Sequence, residues 1–316
     1  MDSPSPKLVA QVFEGLPQVE ERWAALSSGR MRYLYAPSMN AANEKKYAPP
    51  LLLIHGLLGY SFCWRFNIVP LASDFRIFAP DLLGAGYSDR PRHPACGLVS
   101  LAQQLLEFMN ASNIDCADVI ATSHGGAIAA LLAERAPKRV RSMVLAAPVN
   151  PWSDHGRFLI NTLSNPIGAF LFRGIAPLLK PSHHYFLARM YGDPRRIPPG
   201  TLDGYSPPLA VRGTIPYLLG VVAHWHEDMQ HLERAYERLG ERRVLLLWGD
   251  RDGAVLPQSA AELRRRIPGS ELVMLPGVGH LPYEEVPEEF NRLVLEFLLR
   301  GNKNEPYKPQ SKNHRN

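Results

Sequence analysis

Three runs of this chain, Leu51-Leu52-Leu53-Ile54, Val244-Leu245-Leu246-Leu247 and Leu272-Val273-Met274-Leu275, are apolar without alternation. A strand wet on one face alternates apolar and polar residues, so an unbroken run has to be covered on both faces. Each run is short and followed within two residues by glycine, which fits a strand better than a helix. Helix-length segments lie between them. In Leu98 to Ser112, for example, Leu98, Leu101, Ala102, Leu105, Phe108 and Met109 recur at a helical period. Strands alternating with helices predict an α/β fold, a mostly parallel central sheet with right-handed connections and flanking helices.

The residues just past these runs are chemically active. His55-Gly56 comes after the first, Trp248-Gly249-Asp250-Arg251-Asp252 after the second, and Gly277-Val278-Gly279-His280 after the third. Open α/β sheets build their sites at the carboxyl ends of strands. A further stretch, Val119-Ile120-Ala121-Thr122-Ser123-His124-Gly125-Gly126-Ala127-Ile128-Ala129, passes from a β-branched run through a small-residue turn into an alanine-rich helix former. Its A-x-S-x-G is one methyl group away from the G-x-S-x-G nucleophile elbow, where a strand turns sharply into a helix and presents a serine oxygen. Strand and helix pass close together in such a turn. Gly125 and Gly126 leave room on the helix side.

In these residues, and in their chain order of serine, acid, histidine, the sequence resembles the serine-nucleophile, capped branch of the α/β-hydrolase superfamily. The loop Pro80-Asp81-Leu82-Leu83-Gly84-Ala85-Gly86-Tyr87-Ser88-Asp89 is similar to the superfamily's P-D-x-x-G-x-G-x-S-D pattern. The resemblance implies an α/β-hydrolase fold with an inserted helical cap. It implies Ser123 as nucleophile, His280 as base and, by the G-x-x-D pattern of Gly249 to Asp252, Asp252 as the acid. Asp250 is then a turn residue, and Asp154, one strand earlier, a third candidate. A serine hydroxyl is a poor nucleophile until a base takes its proton, and a buried carboxylate on the other imidazole nitrogen fixes the tautomer. The resemblance also implies an oxyanion hole from the backbone N–H groups of Leu57 and His124, with Leu58 replacing Leu57 under another loop register. The side chains of His55 and Asp81 are expected to hydrogen-bond locally, and the His124 ring to pack.

The chain divides into a flexible N-terminal arm (1–18), a first core part (19–148) opening on a hairpin from Glu20 to Tyr35, a helical cap (149–241), a second core part (242–300) and a disordered tail (301–316). Within the core, Phe62 to Ala72 is expected to be helical. Cap helices are expected around 156–163, 167–179, 184–191, 215–226 and 229–239. The aromatic residues Phe158, Phe170, Phe172, Tyr185, Phe186, Tyr217 and Trp225 are expected mostly to pack the cap, with a minority lining a pocket.

The net charge of +5 comes without a basic run interleaved with aromatics, so nucleic acid is not an expected partner. Cys63, Cys96 and Cys116 are odd in number and lack C-x-x-C spacing, which predicts neither a disulfide framework nor a zinc site and fits a reducing, cytoplasmic setting. No basic and apolar leader opens the sequence. The most apolar long window, Phe158 to Leu179, is interrupted by Asn161, Asn165, Pro166, Arg173 and Pro177, too polar for a membrane span. No G-x-G-x-x-G or P-loop is present, and His183-His184 and His224-Trp225-His226 lack metal-ligand spacing, so no cofactor or metal is expected. The expected function is a cofactor-independent serine hydrolase that cleaves a carboxylic ester or related acyl group of a hydrophobic small molecule through an acyl-enzyme. Serine at the elbow speaks against the haloalkane dehalogenase and epoxide hydrolase branches, which use a carboxylate nucleophile. A C–C bond hydrolase, lactonase, thioesterase or perhydrolase with the same triad, or a non-catalytic ligand-binding homologue, are the competing readings. Oligomeric state is not legible.

Overall fold

Eight strands form one sheet in the computed structural model, which describes residues 19–40, 48–92, 94–154, 156–176 and 183–304. The expected N-terminal arm, and the expected tail from residue 305 on, lie outside the described residues. The strands are β1 (Glu20–Leu26), β2 (Gly29–Ala36), β3 (Pro50–Ile54), β4 (Arg76–Pro80), β5 (Ala117–Thr122), β6 (Val140–Ala146), β7 (Val244–Gly249) and β8 (Ser270–Leu275). Their spatial order is β1-β2-β4-β3-β5-β6-β7-β8. The β1–β2 hairpin joins β4 in antiparallel fashion, and β3 to β8 are all parallel.

Every residue of β3, β5 and β7 is buried, as unbroken apolar runs require. The third run behaves differently. β8 is the edge strand, Leu272 and Val273 are half-buried and Met274 is exposed. Among the described residues it pairs only with β7, which leaves one of its sides without a strand neighbour.

The helices are α1 (Ile68–Leu71), α2 (Leu98–Ala111), α3 (His124–Arg135), α4 (Arg157–Ser164), α5 (Pro166–Ile175), α6 (His183–Ala188), α7 (Thr201–Leu209), α8 (Thr214–Arg238), α9 (Gln258–Arg266), α10 (Pro282–Glu285) and α11 (Pro287–Asn304). One core lies on the face covered by α2, α3, α8 and α9 and includes Phe108, Ile128, Leu132, Tyr236 and Leu263. The other holds Trp64, Phe75, Phe290 and Phe297 beneath α11. Each apolar residue assigned to the face of α2 is buried.

Four helices depart from expectation. The segment from Phe62 to Ala72 breaks into a 3-10 turn (Ser61–Trp64) and α1. Pro70 has no N–H to give the Phe66 carbonyl, which accepts from Asn291 Nδ2 at 3.0 Å instead. α7 lies outside the expected cap helices and contains Pro207 and Pro208: Pro208 cannot donate to Gly204, but the Tyr60 hydroxyl does, at 2.7 Å. α11 runs on to Asn304, four residues into the tail expected to be disordered from residue 301. The two helices expected at 215–226 and 229–239 are one, α8, continuous through Asp228. Asp disfavours helix interiors, yet here its carboxylate accepts from Leu98 N at 2.9 Å and so caps α2, whose own N-cap is Gly97.

Burial pushes the Asp228 carboxyl up to about 6, against the opposing pull of the Leu98 N–H and His224. A carboxyl raised in the fold contributes fully below its unfolded value near 4 and loses that contribution as pH rises through about 6. Asp228→Asn keeps an acceptor without the charge. It is expected to stabilise the protein at pH 8 by on the order of 1–3 kcal/mol, the gain shrinking toward zero near pH 4. Thermal melts of both proteins across that range check it.

Between β6 and β7 the described residues form five α-helices, a 3-10 turn (Pro194–Arg196) and no strand, so a helical segment is inserted in the sheet order. Among the described residues, no helix is long and apolar enough to cross a membrane.

Candidate active site

Ser123 joins β5 to α3 at φ 52° and ψ −123°, a backbone state that L-residues rarely hold. It is clamped there: its N–H donates to Ala146 O at 3.0 Å, and its carbonyl accepts from Gly126 N and Val149 N at 3.0 Å each. The small residues after it are required by contact. A Cβ on Gly125 would sit 2.3 Å from His55 O, and one on Gly126 2.6 Å from Pro148 Cβ. The serine side chain faces the turn after β3, since a Cβ on Gly56 would lie 3.1 Å from Ser123 Cβ and 3.7 Å from its Oγ. Ala121, the departure from the usual glycine, is fully buried.

That turn is fixed by His55. Leu82 N–H donates to its Nε2 at 3.0 Å, so Nδ1 carries the proton and donates to Gly56 O at 2.8 Å. Burial lowers its pKa and keeps the ring neutral. Asp81 is equally engaged, accepting from Ser61 N (2.8 Å), Tyr87 N (2.9 Å) and Arg32 Nη1 (3.0 Å). Burial alone would raise its pKa, but Arg32 and the two amides outweigh it and hold the carboxyl below its usual range. Both side chains are structural, as expected.

His280 and Asp252 are brought together. Nδ1 of the ring lies 2.8 Å from Asp252 Oδ2, with both side chains buried. The other oxygen, Oδ1, accepts from Ala254 N (2.7 Å) and Val255 N (3.0 Å), which orients the carboxylate. With the proton on Nδ1, Nε2 is left as the acceptor. Asp250 does not meet the ring: its Oδ1 accepts from Gly277 N at 2.7 Å on the surface. Asp154 is exposed and paired with Arg157. Ser123, Asp252 and His280 all lie past the carboxyl ends of parallel strands, β5, β7 and β8.

His124 opens α3, so its N–H is among those with no acceptor inside the helix. Its ring is buried and held at a pKa of about 4 by burial and by nearby His55, hence neutral. Leu57 is half-buried and packs on a cluster from the inserted segment, Leu163, Leu218, Leu219 and Val222. Leu58, the alternative, holds φ 61°. Of the aromatic residues expected to pack, Tyr217 is buried and Phe172 half-buried, but Phe158, Phe170, Tyr185 and Phe186 face solvent.

Two residues beside the site carry no signal in the sequence. Glu285 accepts from Gly279 N (2.8 Å), Gly192 N (2.9 Å) and Asp193 N (3.0 Å), tying the loop of His280 to the inserted segment. His280 N itself donates to Met190 O at 2.7 Å. Glu284 accepts from Arg65 (2.7 Å), Tyr191 (2.9 Å) and Tyr205. Adjacent carboxylates after Pro282-Tyr283 form no motif, and nothing in their spacing distinguishes them from a solvated helix end.

Residues 49–172 match the family described as alpha/beta hydrolase fold, and residues 220–309 the family described as TAP-like protein. The chain is 27% identical over 292 residues to haloalkane dehalogenase 2 of Mycobacterium tuberculosis, covering 88% of this chain and 94% of that one. It is 29% identical over 253 residues to the dihydrolipoyllysine-residue acetyltransferase component of the acetoin cleaving system of Cupriavidus necator. There it covers 79% of this chain but spans only 64% of that protein's length. Among solved structures, 2-hydroxy-6-oxo-6-phenylhexa-2,4-dienoate hydrolase from Rhodococcus sp. strain RHA1 superposes with a TM-score of 0.72 at 21% identity, covering 89% and 99% of the two chains. At that identity the likeness is one of fold.

Proposed function

The chain belongs to the α/β-hydrolase superfamily, and we propose that it is a cofactor-independent serine hydrolase acting on a carboxylic ester or related acyl compound. The observation that carries this reading is the buried contact of His280 Nδ1 with Asp252 Oδ2, on the sheet edge where Ser123 occupies a strained elbow. Nε2 of His280 takes the Ser123 proton as Oγ attacks the acyl carbon. The carbonyl oxygen becomes an oxyanion, bound by the N–H groups of His124 and Leu57. Asp252 stabilises the imidazolium, which returns its proton to the leaving alkoxide. Water then attacks the acyl-enzyme, losing its proton to the same ring, which passes it to Ser123 Oγ as the bond from that oxygen to the acyl carbon breaks and the acid leaves. A donor of this kind contributes roughly 3 kcal/mol to the transition state.

The segment 149–241 acts as the cap between the core parts 19–148 and 242–300. Its apolar cluster against Leu57 supports a hydrophobic acyl group beside the oxyanion loop. The unpaired thiols of Cys63, Cys96 and Cys116 support a cytoplasmic setting. The dehalogenase relative does not transfer its named reaction, because the elbow here holds Ser123 and not a carboxylate.

A fluorophosphonate probe tests the reading. It is expected to label the intact protein at Ser123 and to leave Ser123→Ala unlabelled; no labelling of either would favour a ligand-binding homologue. Hydrolysis of a panel of p-nitrophenyl esters, lactones and thioesters is expected to be fastest on the esters.

A further inference from the structure

Helices α4 and α5 of the inserted segment break the usual rule for a surface element. α5 (Pro166–Ile175) has one charged residue, Arg173, and a helix apolar all round is normally buried. Its inner side is already used: Ala169 and Phe172, with Ile160 of α4, pack on Leu163, Leu218, Leu219 and Val222. Its outer side is apolar as well. Ile167 (71% exposed), Phe170 (76%), Leu171 and Ile175 stand in solvent, and α4, packed against it, adds Phe158 (85%) and Leu159. The helix is nonetheless well formed at its start, with Pro166 at its first position and the Asn165 side chain accepting from Ile167 N at 2.9 Å. An apolar patch of this kind marks an interaction site.

Charge identifies the occupant. Helices α4 and α5 carry two arginines, Arg157 and Arg173, and no acidic residue. Arg157 is paired with Asp154, and Arg173 stands exposed on α5 within the apolar face. A second copy docking face to face would set arginines against arginines with no carboxylate on either helix to meet them. An anionic bilayer meets both features at once, its acyl boundary accepting the phenylalanines and its phosphates the arginines. We propose that α4 and α5 lie on the surface of an anionic lipid bilayer, so that the protein adsorbs to membranes without spanning them.

The test uses the full-length protein and vesicles of phosphatidylcholine with and without phosphatidylglycerol, read by flotation. The protein is expected to float with the anionic vesicles, less as salt is raised and less with phosphatidylcholine alone. The triple change Phe158→Ser, Phe170→Ser, Leu171→Ser is expected to lower partitioning at least about ten-fold. Because these side chains are exposed, it should leave the thermal midpoint and the hydrolysis of a soluble short-chain ester unchanged. Arg173→Glu should reduce selectively the part that depends on phosphatidylglycerol. Ser123→Ala should float as the native protein does, which separates this proposal from the hydrolase reading. Failure of the native protein to float, equal binding to both vesicles, undiminished binding of the triple variant, or self-association abolished by the triple change in a protein that ignores lipid would each overturn it.

Discussion

Ser123→Ala is expected to lower turnover of short p-nitrophenyl esters by about 10⁴-fold or more without changing the thermal midpoint. In the proposed mechanism the loss is large because attack, proton transfer and acyl-enzyme formation would all run through one oxygen, leaving only binding and the proposed oxyanion donors to sustain a residual rate. Stability should hold because Ala keeps the Cβ and the same unfavourable φ of 52°, and because the clamp on residue 123 is made by backbone atoms. The acid gives a graded control. Asp252→Asn should lose about 10³–10⁴-fold, since an amide facing Nδ1 favours the wrong tautomer. Asp250→Asn should lose almost nothing, its oxygen serving only the exposed turn at Gly277. Persistent ester turnover in Ser123→Ala, measured under single-turnover conditions to exclude trace wild-type enzyme, would move the nucleophile elsewhere.

The legible parts of this chain are those where local pattern and global position impose the same demand. Leu51 to Ile54 and Val244 to Leu247 read as buried strands and are buried at every residue. Gly125 is legible because no other residue fits 2.3 Å from a carbonyl oxygen. Asp252 is separable from Asp250 through a spacing pattern, and only one of the two meets the imidazole. Illegible parts depend on partners remote in sequence. Nothing near Pro207 and Pro208 announces that Tyr60, 144 residues from Gly204, satisfies that carbonyl and lets α7 form. Phe158 and Phe170 have the composition of packing residues, and only their placement reveals that they face outward. Met274 likewise belongs to an apolar run whose strand proves to be the sheet's edge.

Glu284 is the extreme case of that remoteness, and Glu284→Ala is expected to cost about 3–5 kcal/mol of stability. Its carboxylate is fully buried and accepts from Arg65, Tyr191 and Tyr205. Arg65 is itself buried and shares its guanidinium with Thr201 Oγ1 at 2.9 Å. Removing the carboxylate leaves a buried cation with only neutral partners and deprives two tyrosine hydroxyls of their acceptor, which is why breaking such a pair costs more than the pair contributes. Replacing both members, Arg65→Met with Glu284→Leu, should therefore recover much of the loss in urea melts. Because Tyr191, Thr201 and Tyr205 come from the inserted segment, the damage should concentrate there, as faster amide exchange around 191–209. The neighbouring Glu285 holds Gly279 N and Gly192 N together, so the same loosening reaches the loop that carries His280. Turnover number should fall more than substrate affinity, since the imidazole loses its fixed position while the apolar cluster around Leu163 and Leu218 stays in place. A loss below about 1 kcal/mol in Glu284→Ala would show that water or a shifted side chain replaces the carboxylate, and that the segment is held by its apolar contacts instead.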